Sequence, residues 1–169
     1  ILLSYHPDVT QGANNVLALM FNMNDLWEQF VFTSLRRHKT NTTKIYKTSK
    51  NFWKPLSGSA SKLKPDIVLN KGKECVVLDT KWKDLKKNNP SIEDLRQMFV
   101  YMRYYRAKKV SLVYPGVSNI KSGYYYDYKT DFDSLSHSEC SIISIGIPDD
   151  IKKWQRTIHD NIDKWIDNK

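Results

Sequence analysis

Hydrophobic periodicity predicts an α/β fold of three layers, a central mixed β-sheet flanked by helices. Three observations carry that expectation. Two apolar runs, Ile67–Leu69 and Cys75–Leu78, are separated by the turn-forming Asn70-Lys-Gly-Lys73. A helical spacing of apolar residues after Pro90 gives way to the apolar run Lys108–Pro115, and a second amphipathic stretch follows Pro148. Strand, strand, helix, strand is thus the expected core.

In chain order, residues Asn22 to Arg37 read as a helix, with Asn24 as N-cap and Arg36 and Arg37 suited to the negative end of its dipole. On a helical wheel Glu28 falls beside Val31, Phe32 and Leu35. An acid on an apolar arc wants a partner; a solvated glutamate is the plainer alternative. Lys44-Ile-Tyr-Lys47 has strand-like composition, and Phe52 and Trp53 are expected in the core or at a sheet edge, with contact to a base or sugar as the other use. Ser57–Ser61 reads as a loop.

Lys64 to Lys81 then forms the hairpin. Beyond it, Ser91-x-x-Asp94 resembles a capping box, and Ile92, Leu95, Phe99 and Met102 make the apolar stripe of a helix running to about Tyr105. Gln97 and Tyr101, one turn apart on another side, would project together at the sheet edge. Pro115 and Gly116 end the next strand. Gly123–Tyr128 and Ser141–Ile147 read as further strands, with Tyr124–Tyr126 as packing. Asp149 and Asp150 favour the start of a last helix whose stripe is Ile151, Trp154, Ile158, Ile162 and Trp165.

The hairpin carries the chemistry. Strand side chains alternate, so Asp79 and Lys81 share one face, and Asp66 opens the opposing strand. Mg²⁺ prefers hard oxygen ligands and keeps several waters. Asp66, Asp79 and a backbone carbonyl, that of Thr80, form a set that could hold Mg²⁺, or Mn²⁺ in its place, beside a phosphodiester. Such an ion polarises the phosphoryl group and lowers the pKa of an attacking water. Lys81 would orient that water or neutralise charge on phosphate, and Glu28 would add an oxygen, directly or through water. The alternative is structural: Asp66 begins a strand, and Asp79 and Lys81 form a surface pair.

Charge points the same way. Residues 1–110 hold 20 Lys+Arg against 9 Asp+Glu, whereas residues 111–169 hold 7 against 9, so the excess lies on the hairpin's side. No acid occurs between Gln29 and Pro65. Arg36, Arg37, Lys39, Lys62 and Lys64 from that stretch, with Lys83 beyond it, are the expected contacts to a DNA backbone, although a basic run is often only a solvated face.

Composition narrows the remaining choices. At 169 residues and 40% apolar content the chain can form one globular domain without disulfides. No apolar run is long enough to span a membrane. Two unpaired-looking cysteines, Cys75 and Cys140, fit a reducing cytoplasm. His137-Ser-Glu-Cys140 lacks the Pro-Cys-x-x-Cys of a zinc deaminase and reads as a loop. His6, His38 and His159 have no convincing partners. The phosphate-cradling Gly-x-x-x-x-Gly-Lys-Ser/Thr is missing, so GTP hydrolysis would belong to another protein.

Five blocks occur in order: Leu26-Trp-Glu-Gln-Phe-Val31, Lys64-Pro-Asp-Ile-Val-Leu69, Val77-Leu-Asp-Thr-Lys81, Asp94-Leu-Arg-Gln-Met-Phe-Val-Tyr101 and Leu112-Val-Tyr-Pro115. Together, over about residues 15 to 115, they resemble the endonuclease half of the McrC subunit of the McrBC modification-dependent restriction system, a branch of the PD-(D/E)xK nucleases. The resemblance implies a restriction-endonuclease-like core over residues 1–169 and a Mg²⁺-dependent DNA endonuclease of bacterial cytoplasm. It makes Asp66, Asp79 and Lys81 catalytic, Glu28 the helix acid, and Gln97 with Tyr101 an accessory pair. It also implies a hexameric GTPase partner, McrB, engaged through an N-terminal region for which this chain has no room; residues 1–15 would be its remnant. Trp27 and Trp82 stand where relatives more often carry other aromatics. One site cuts one strand, so a double-strand break would take two copies, as in a homodimer, or sequential nicks. The competing expectation is a non-catalytic DNA-binding or assembly module that keeps the fold.

Overall fold

The computed structural model describes residues 22–83, 85, 89–127 and 134–168. The expected N-terminal remnant, His6 and Tyr128 lie outside them. In chain order the elements are α1 (Met23–His38), β1 (Thr43–Tyr46), β2 (Lys50–Trp53), β3 (Ser61–Leu63), β4 (Ile67–Lys71) and β5 (Glu74–Thr80), followed by α2 (Ile92–Tyr105), β6 (Lys109–Pro115), β7 (Asn119–Tyr126), β8 (Leu135–Ile145) and α3 (Ile151–Asp167).

Six of these strands form one mixed sheet in the order β1-β4-β5-β6-β8-β7, and β2 and β3 pair separately as a ribbon. β4 and β5 are the antiparallel hairpin, turned at Gly72, whose φ of +63° lies where a side chain would be strained. β5, β6 and β8 run parallel. A parallel pair needs a crossover, and α2 supplies it between β5 and β6.

The sheet's two faces are buried under different helices, as the three-layer expectation requires. Ile67, Leu69, Val76 and Leu78 pack with Trp27, Val31, Ile158, Ile162 and Trp165 beneath α1 and α3. The alternate residues Val68 and Val77 pack with Met98, Tyr101, Met102 and Tyr105 of α2. Ile158, Ile162 and Trp165 are at most 1% exposed. Burial of each isoleucine stabilises by about 1.5–3 kcal/mol, and with Trp165 this anchors α3.

Several expectations need correction. Asn22, not Asn24, caps α1, its Oδ1 accepting from Asn24 N at 3.1 Å and Asp25 N at 3.5 Å. Asn24 instead accepts from Trp82 N at 3.1 Å, tying α1 to the segment after β5. The buried arc of α2 is Asp94, Met98, Tyr101, Met102 and Tyr105, while Ile92 is exposed. Leu95 and Phe99 turn sideways, Phe99 packing edge-on against Tyr125 of β7. His137–Cys140 is part of β8, which begins at Leu135, and β7 begins at Asn119. Ile151 is exposed, so the stripe of α3 begins at the half-buried Trp154. Phe52 and Trp53 are exposed on the ribbon rather than buried in the core.

Candidate functional site

The hairpin register pairs Ile67 with Leu78; continued by one residue, it sets Asp66 opposite Asp79. Opposed residues of an antiparallel pair lie on one side of the sheet, and the two charges are close enough to repel. Asp66 Oδ2 accepts two hydrogen bonds of 2.7 Å, from the amide and the hydroxyl of Thr80. The amide and hydroxyl of Thr80 thus hold Asp66 at the mouth of the hairpin.

Asp79 is 2% exposed at the end of β5. Burial, then the charge of Asp66, pushes its carboxyl up to about 6, against the opposing pull of Lys81. Burial also raises Asp66, with Thr80's hydrogen bonds opposing and Glu28's charge adding to the rise. Lys81 shares the face of Asp79, as alternation requires, and its Nζ lies 2.7 Å from Asp79 Oδ2. That distance makes it a charge-assisted contact to a buried oxygen. Burial acts against the Lys81 charge, but Asp79 and Asp94 outweigh it and hold the ammonium above the usual lysine range. Lys81 is therefore a fixed cation at neutral pH, suited to stabilising negative charge rather than to accepting a proton.

α2 closes the site from one side. Lys81 Nζ donates to Gln97 Oε1 at 3.2 Å, Gln97 Nε2 donates to Tyr101 Oη at 2.9 Å, and Tyr101 Oη donates to the Lys64 carbonyl at 3.2 Å. The expected pair thus meets, although Tyr101 is buried rather than projecting at an edge. Burial, helped by Asp79, raises the Tyr101 phenol to about 12, so it remains a donor. The chain of contacts binds Lys81 to the residue two positions before Asp66.

Asp94 is the residue that sequence reasoning passed over. Its amide donates to the capping Ser91 Oγ at 3.2 Å, as the sequence predicts, and its buried carboxylate lies 2.5 Å from Lys83 Nζ and 3.5 Å from Lys81 Nζ. Burial would raise it; the Lys83 hydrogen bond and the two ammonium charges hold it below the ordinary range. The signal was its position three residues before Gln97, which places both on one face of α2.

α1 closes the other side. Glu28 faces a cavity of about 320 Å³ shared with Asp66, Lys64 and Lys47, and Lys47 Nζ lies 2.5 Å from its carboxylate. The expected basic residues divide. Lys64 and Lys83 border the site, and Lys62 lies on the ribbon leading into it. Arg37 donates to Gln155 of α3 at 2.6 Å, and Lys39 lies near Leu69 and Asp163, at the end of β4 away from Asp66. Arg36 stacks over Phe32.

Among the described residues no three His, Cys, Asp or Glu side chains converge into a ready-made metal cage. The donor set nevertheless suits a Mg²⁺-type ion, which needs only one or two carboxylates besides water. Asp66 and Asp79 repel one another. A divalent cation between them would offset that repulsion.

The sequence model of the McrBC 5-methylcytosine restriction system component family matches residues 1–115, ending on the last residue of β6. No curated protein is detectably similar to the chain. Among solved structures, one chain of the refined half-complex from the tetradecameric assembly of Thermococcus gammatolerans McrB AAA+ hexamers with bound McrC is similar over 85% of this chain, with a TM-score of 0.62 and 22% identity. This chain spans 33% of that one, about a third of its length. The crystal structure of SSO0001 is similar over 86% of this chain and 60% of its own, with 18% identity and a TM-score of 0.40, too distant to bear on the fold.

Proposed function

Because the chain belongs to the McrBC 5-methylcytosine restriction system component family, we propose that it is the DNA-cutting part of such a system, a McrC-type, PD-(D/E)xK endonuclease that hydrolyses phosphodiester bonds with a divalent metal. The observation that carries this reading is the pairing of Asp66 and Asp79 at the mouth of one hairpin, with the Lys81 ammonium 2.7 Å from Asp79.

Asp66 and Asp79, with the Thr80 carbonyl, would hold Mg²⁺ or Mn²⁺; when bound, such an ion polarises phosphate and lowers the pKa of a coordinated water. Lys81, charged and oriented by Gln97, stabilises negative charge developing on the phosphate. Tyr101 fixes the backbone at Lys64 and so the approach to Asp66. Asp94 holds Lys83 and Lys81 in place. Glu28 is restrained by Lys47 at the adjoining cavity, where release of that ion pair would free a further oxygen. A McrB-like hexameric GTPase is the proposed partner of the longer protein, and two copies of this chain would serve a double-strand break.

The test is a plasmid-nicking assay with Mg²⁺ and Mn²⁺, with and without the GTPase. Asp79→Asn should lower cleavage at least about a hundredfold while DNA binding survives, the order expected when a preorganised charge-stabilising group is lost. Wild-type cutting by Asp79→Asn would end the assignment. One observation favours a second reading, a non-catalytic DNA-binding module: Lys81 already neutralises Asp79. Such a module would bind DNA identically in chelator and with Asp79→Asn, and would never nick.

A further inference from the structure

The β2–β3 ribbon stands apart from the main sheet and leads, through Lys64 and Pro65, straight to Asp66. Its base is fixed: Lys50 Nζ donates to the Tyr104 carbonyl at 2.8 Å, Phe52 meets Tyr104 edge-on at 5.3 Å, and the Tyr105 hydroxyl donates to the Leu63 carbonyl at 3.4 Å. Its tip is not covered. Trp53 is 60% exposed and Leu56 fully so.

Large apolar side chains presented to water at the end of a projecting arm offer a contact surface. The surroundings say what. Lys54, Lys62 and Lys64 are exposed and have no carboxylate partner among the described residues, and no acid lies in sequence between Gln29 and Pro65. An apolar tip flanked by unneutralised lysines is complementary to a polyanion that carries stacked apolar faces, which describes DNA.

We propose that the ribbon is a DNA wedge: Trp53 and Leu56 insert against a base step of duplex DNA while Lys54, Lys62 and Lys64 hold the flanking phosphates. Because the arm is fixed to α2 and continuous with Asp66, its seat on the duplex sets which phosphodiester meets the site. The proposal rests on the nuclease reading for its purpose, but binding alone tests it.

The experiment measures binding of a duplex containing 2-aminopurine, in EDTA, by anisotropy and by the fluorescence increase that reports unstacking. The wild-type chain should bind and raise the fluorescence. Trp53→Ser with Leu56→Ser should weaken binding about tenfold and abolish the increase, with the salt dependence unchanged, since no charge is removed. Lys62→Ala should lower the salt slope by about one and keep the increase. Both variants alter exposed positions, and circular dichroism melts check that they fold. Wild-type affinity and unstacking in the double variant would overturn the proposal and leave the tip to a protein partner. A chain that binds and unstacks DNA but never nicks with Mg²⁺ fails the nuclease reading and leaves the wedge standing.

Discussion

Asp79 shows how the site stores electrostatic cost in the resting protein. Its carboxyl is raised from the usual aspartate range to about 6, so the folded chain binds a proton there more tightly than the unfolded chain does. Its contribution to stability is therefore full below about pH 4 and is lost as pH rises through about 6. Asp79→Asn should remove that loss and raise the melting temperature of metal-free protein at pH 7 but not at pH 4, by roughly 2–3 kcal/mol in stability. A melting series across pH reads this directly; equal effects at both ends would refute the cause assigned to the shift. Mg²⁺ should raise the melting temperature of the wild type at pH 7 and leave Asp79→Asn unmoved. Tyr101→Phe loses the hydroxyl that joins Gln97 to the Lys64 carbonyl. It should slow nicking about tenfold while costing only about 1 kcal/mol of stability, the worth of a hydrogen bond.

Among the elements, α1 is held by one side chain above others. Trp27 is 2% exposed, donates from Nε1 to the Val113 carbonyl at 3.1 Å, stacks on Trp154 at 5.5 Å and meets Trp82 edge-on at 6.0 Å. Trp27→Ala should destabilise by about 3–5 kcal/mol in denaturant titration, and should loosen Glu28 beside it. The hairpin is legible in the sequence because two continuous apolar runs, buried on both faces, flank the turn at Gly72, and the acids stand at their ends. The face of α2 is not. Ile92, Leu95, Met98, Phe99, Tyr101, Met102 and Tyr105 offer two overlapping apolar arcs, and packing against β4, β5 and β6 buries the one that carries Met98, Tyr101, Met102 and Tyr105. The start of β8 was hidden because Ser136–Glu139 is polar, although Glu139 is buried and satisfied by Ser141 and Trp165. Of the places expected for Trp53 the core is ruled out, because an aromatic's burial is a property of its neighbours, not of its own chemistry.

At the scale of the molecule, the portion that matches the family ends at Pro115, yet the sheet does not. β6 is buried between β5 and β8, and the core beneath α1 is completed by Ile158, Ile162 and Trp165 of α3. Residues 1–115 expressed alone should therefore expose β6 as a bare apolar edge and aggregate; a soluble, cooperatively melting 1–115 fragment would contradict this. With an overall charge of +9, the proposed DNA binding should weaken steeply with salt.

The parallel run β5-β6-β8 also bears on how the protein is made. Asp66, Asp79 and Lys81 precede in the chain the strand and helix that complete their sheet and core, β8 and α3. The three side chains are thus synthesised before the frame that aligns them, and their alignment waits on segments that follow them in the chain.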